Sequence, residues 1–88
     1  MLILPDELIH ARATACLAQL TAEISAEASP VQINAAALRR FDSSALAVLL
    51  ELRRACARVG KTMVVQGLPN RLRDLAVLYG IEGLLPSA

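Results

Sequence analysis

Asp42, Ser43 and Ser44 stand directly before the apolar run Ala45 to Leu50. Two kinds of chemistry fit three such residues in front of a helix. Ser and Asp oxygens accept hydrogen bonds from the unpaired amides of a first helical turn, and Asp also complements the positive end of the helix dipole. That role uses up one of the three. A serine exposed at a helix N-terminus is also a place where a phosphate is electrostatically favoured. Ser43 and Ser44 are therefore candidates for a partner contact or a modification.

Other reactive residues do not assemble into a catalytic set. His10 is the only histidine and is expected at the start of the first helix, as a surface or capping residue. No Gly-x-Ser-x-Gly elbow surrounds Ser43 or Ser44. The four glycines are scattered at positions 60, 67, 80 and 83, so no phosphate-cradling loop exists. Cys16 and Cys56 lack metal-ligand or redox spacing and read as small buried thiols of a reducing compartment. The expectation is a protein that is not an enzyme, with no cofactor and no metal.

Charge and composition point instead to a partner. Between Arg39 and Arg73 lie Arg39, Arg40, Arg53, Arg54, Arg58, Lys61, Arg71 and Arg73, against Asp42 and Glu51 alone. Most of these are expected on solvated helix faces; an acidic protein partner comes next. Nucleic acid is not expected, because Phe41 and Tyr79 are the only aromatics and bases need platforms to stack on. Hydrophobic residues make up 56% of the 88, with a mean hydropathy of +0.51. So small a chain leaves part of that apolar surface outside its core, where it marks an interface. "MLILPDEL" does not fit a signal peptide. The longest apolar run is far below the ~20 residues of a spanning helix, so no membrane insertion and a cytoplasmic location are expected.

The elements that must hold these residues follow from periodicity. "LIL" reads as a short strand and "PDEL" as a turn. Ala13, Cys16, Leu17, Leu20 and Ile24 share one face of a helix over about residues 9–26, which ends before Ser29-Pro30. "VQIN", residues 31–34, reads as a strand. A second helix spans about 44–59, with Leu46, Leu49, Leu50, Arg53, Cys56 and Ala57 at helical spacing and Gly60 as its stop. "TMVVQ", residues 62–66, is the most strand-like segment. A third helix covers about 70–79, with Leu72, Leu75, Ala76 and Tyr79 on one face, and "IEGLLP" is a last strand or turn. The alternation predicts one α/β domain, with a small mixed or parallel sheet of about four strands and helices mainly on one side. Leu46, Leu49, Leu72, Leu75, Val64 and Val65 are the expected core.

The stretch "FDSSALAVLLELRRACARVGKTMVVQGLPNRLRDLAVLYGIEGLL" resembles the STAS domain of bacterial anti-sigma factor antagonists. The likeness is close over the second half of the chain and looser over the first helix. In that family a strand runs into Asp-Ser-Ser-Gly-Leu at a helix start, and the serine after the Asp is phosphorylated by the partner kinase. Ser43 holds that position, and Ala45 stands where the family has Gly, placing a methyl group beside the loop. "VVQG" followed by "LAVLYGIEGLLP" is more similar to the MlaB-like STAS subunit of phospholipid-transport ABC complexes. That resemblance implies docking on the cytoplasmic ATPase at the inner-membrane face. The contact would use Asp42, Ser43 and Ser44, with Arg39, Arg40 and Arg53 supplying flanking charge. The alternative it implies is an antagonist switched by phosphorylation of Ser43, with an anti-sigma factor kinase as partner.

Overall fold

Burial alternates along the strands of the computed structural model, which describes residues 1–86. β1 (Leu2–Ile3), β3 (Val31–Asn34) and β5 (Met63–Gln66) form a parallel three-stranded sheet in the order β1-β3-β5. Leu2, Val31, Ile33, Met63 and Val65 point to the covered face, while Ile3 and Gln32 point to the open one. Val64, expected in the core, lies on that open side and is half-buried, because its pleat position is the opposite of Val65.

The helices are α1 (His10–Glu23), α2 (Ser44–Arg58) and α3 (Asn70–Leu78). They bury unequal amounts. α2 buries Ala45, Leu46, Val48, Leu49, Leu52, Ala55 and Cys56. Full burial of one such leucine is worth about 1.5–3 kcal/mol, so α2 is the main apolar anchor. Its stripe is centred on Leu49 and Cys56, so Arg53 and Ala57 fall outside it and are exposed. α3 buries Leu72 and Ala76, while Leu75 is half-buried against the core. Tyr79 lies just past the end of α3 and is 56% exposed, contrary to its expected place on the inner face. α1 buries only Leu20 fully.

Gly60 (φ 74°) and Gly80 (φ 72°) end α2 and α3 in left-handed geometry that a side chain would strain. After each, the chain folds back on the helix: Lys61 N–H donates to the Cys56 carbonyl and Ile81 N–H to that of Ala76, both at 2.9 Å. α1 continues as a 3₁₀ turn, Ile24–Ala26, and the segment after α3 closes with a second one, Glu82–Leu84, instead of a strand.

Two further strands have no periodicity to show them. β2 (Glu7–Leu8) and β4 (Arg40–Phe41) are two residues each and pair in parallel, separate from the main sheet. Among the described residues, no helix is long and apolar enough to cross a membrane.

Candidate functional site

The β2–β4 pair positions the site. Leu8 lies opposite Phe41, so the next residue pair is Ile9 and Asp42, and each strand runs at once into a helix. The first turns of α1 and α2 therefore start side by side, with their positive dipole ends together. Like ends repel, and an anion between them removes the repulsion.

Asp42 is that anion. Its Oδ1 accepts from the Ser44 N–H at 2.8 Å and its Oδ2 from the His10 N–H at 3.2 Å. One carboxylate thus serves the first residue of each helix. The Ser44 amide is the main cause holding its pKa below the usual carboxylate range, helped by the His10 amide. His10 enters the site through its backbone.

With Asp42 serving as the cap, Ser43 is left to other work, whereas the Ser44 hydroxyl also faces the Asp42 carboxylate. Ser43 is the cap residue of α2 by position, yet its side chain makes no capping hydrogen bond, and it is exposed. Ser44 is half-buried beside it. Ala45 is fully buried, so the methyl group that replaces the family's glycine sits in the core and leaves the loop surface unobstructed.

The flanking arginines take different positions. The Arg39 guanidinium donates to the carbonyls of Ala36 (2.9 Å) and Leu38 (3.1 Å), bracing the loop that leads into β4. Arg40 lies 3.5 Å from Glu7, which also faces Arg12 at 3.5 Å. Arg53 is on the exposed flank of α2, nearly three turns from Ser43, beside Ala57 and the chain near Gly83 and Pro86. A different cation is adjacent to the site: Arg71 of α3 lies over the Phe41 ring, 5.5 Å from its centroid. Periodicity could not place Arg71 there, because the contact joins α3 to β4.

Neither cysteine bears on this site. Burial raises the thiol pKa of both Cys16 and Cys56, which disfavours the reactive thiolate. Among the described residues, no group of three or more His, Cys, Asp or Glu could hold a metal ion.

The chain matches, over residues 1–86, the family model described as "Mlab, STAS domain". It belongs to the MlaB-type STAS domain family. No curated protein matches the chain.

Proposed function

We propose that this STAS domain is a non-enzymatic accessory subunit that docks on the cytoplasmic ATPase of an ABC-type phospholipid transporter, and is held at the inner-membrane face through that complex. The observation that carries the reading is the division of labour at the paired helix starts. Asp42 does the capping, which leaves the Ser43 hydroxyl exposed and unused by the fold. A small hydroxyl on a rigid helix start makes a close-fitting contact point. Arg39 and Arg40 flank it from the preceding loop and strand, and Arg53 adds positive charge farther along α2.

Co-purification from the native host tests this. The tagged domain is expected to bring down the transporter's ATPase subunit and to hydrolyse no nucleotide alone. Robust hydrolysis by the pure chain, or an ATPase that never co-purifies, would sink the proposal.

A second reading draws on the same geometry. Two helix N-termini meet beside Ser43, so a phosphate there would be attracted by both, which suits an anti-sigma factor antagonist switched by a kinase. Phosphorylation of Ser43 by a co-encoded anti-sigma factor kinase, with the ATPase ignored, would select it.

A further inference from the structure

The two edges of the β1-β3-β5 sheet differ. On the β5 side the outward Val65 N–H donates to the Pro86 carbonyl at 2.8 Å, with Leu85 buried just before it. The chain closes that edge itself. β1 is the other edge strand, and no strand among the described residues pairs with its outer side. The Leu4 N–H donates to the Asn34 carbonyl at 2.9 Å, so Leu2 and Leu4 turn their backbone groups toward β3. Those of Ile3, between them, point away from the sheet. A donor and an acceptor set at strand spacing on an open edge are a template for another strand.

A cleft of about 310 Å³ lies beside that edge, between β1 and α1. Leu4, Cys16 and Leu20 give it apolar surface, and Ala15 and Gln19 belong to its helix wall. Small side chains at positions 15 and 16 leave the room. Glu7 and Arg12, also lining it, face each other at 3.5 Å, so charge there is balanced and selects no partner.

The backbone selects one. A lipid chain, or any purely apolar filler, would strip water from the Ile3 amide and carbonyl and return no hydrogen bond. A second copy could pair Ile3 with Ile3, but its Leu2 and Leu4 are buried in its own core and have no reach into the cleft. An extended segment of a different protein meets both needs. Its backbone pairs with Ile3 while alternate side chains enter the cleft.

We propose that the cleft between β1 and α1 seats an extended apolar segment of the partner protein, added to the sheet as a strand beside Ile3. This deepens the docking reading above and rests on it for the partner's identity. The Ile3 side chain points to the open face of the sheet; its backbone makes the contact.

Ile3→Pro tests the pairing directly. It removes the outward N–H, and proline is tolerated on an edge strand where that group faces solvent, so pairing with β3 is kept. Ile3→Thr changes the side chain and keeps the N–H. Ala15→Phe fills the cleft from an exposed position on α1. Binding of these variants and of Ser43→Glu to the host transporter's ATPase is measured with thermal melting of each, and a photo-crosslinker at position 19 maps the occupant. Ile3→Pro and Ala15→Phe are expected to weaken binding at least tenfold, with Ile3→Thr close to wild type and melting temperatures kept. If Ile3→Pro melts early, Ala15→Phe and the crosslink decide. Normal binding by a folded Ile3→Pro or by Ala15→Phe overturns the added strand, and a defective Ser43→Glu in the same assay leaves the docking reading standing. If the wild type ignores the ATPase, the docking reading falls and the crosslinker decides the cleft. A crosslink to an apolar extended segment of another protein, lost in Ala15→Phe, upholds the strand. A crosslink to a lipid or to a second copy, one that survives Ala15→Phe, or none at all overturns it.

Discussion

α1 and α2 are of similar length, lie side by side and are held by different forces. α2 buries seven residues, whereas α1 buries Leu20 alone and rests Ala13, Cys16 and Leu17 partly against the core. α1 also lacks its own end chemistry. It has no side-chain cap, no acid in its first turn and no base in its last. Both of its ends are served by side chains from far along the chain. Asp42 accepts from its first amide, while the Lys61 ammonium takes the carbonyls of Ile24 (2.9 Å), Ser25 (3.1 Å) and Glu27 (2.6 Å) just beyond its last turn. An anion at the N-terminus and a cation at the C-terminus are the arrangement a helix dipole favours. The difference teaches that the helix beside the proposed site is fastened by polar clamps, and the helix carrying the site by its core.

The largest expected effect breaks the apolar half of the comparison. Leu49 is fully buried, and Leu49→Ala should cost ~2–5 kcal/mol. Chemical denaturation measures it, and a variant as stable as the wild type would contradict the role given to α2. Next comes the far clamp. Lys61→Met keeps the aliphatic stem but strands three carbonyls. Hydrogen bonds to a charged group are each worth about 1.5–3 kcal/mol, and water replaces part of them at this half-buried place, so a total of about 1–3 kcal/mol is expected. Hydrogen exchange should rise first in the last turn of α1. Uniform loosening of the whole domain would show that Lys61 is no local clamp.

The near clamp has a pH signature. The folded-state pKa of Asp42 lies below its ordinary value, so its contribution is fully present above the ordinary range. It is lost as pH falls below about 4 and through the folded value. The melting-temperature gap between wild type and Asp42→Ala should therefore be widest near neutrality and close with acid. A gap that widened as pH fell would reverse the sign and remove Asp42 from this role.

How much of this the sequence showed depends on the range of each signal. The three helices and the strands at 31–34 and 63–66 carry their own periodicity, and the STAS likeness rested on local motifs such as "FDSS" and "VVQG". β2 and β4 are too short for any period, and they are what place α1 beside α2. The Asp42–His10, Lys61–Ile24 and Arg71–Phe41 contacts join residues about 30 or more apart, and nothing local announces them. Position alone suggested that one of Asp42, Ser43 and Ser44 is a cap. Only the two accepted amides identify it as Asp42.

The smallest effect on stability is the sharpest test of function. Replacing a serine that caps a helix through its side chain costs ~0.5–2 kcal/mol. Ser43 makes no such bond, so Ser43→Ala should leave the melting temperature almost unchanged. Ser43→Glu should also be tolerated by the free domain, because negative charge is favoured where two helices start. Inside a contact the same carboxylate must be desolvated with no partner to receive it, which is costly. The Glu variant should therefore fold normally and lose the ATPase, while the Ala variant folds normally and keeps most of its binding. Melting and pull-down on the two variants together separate the cases. Equal binding by both would show that the exposed hydroxyl lies outside the contact.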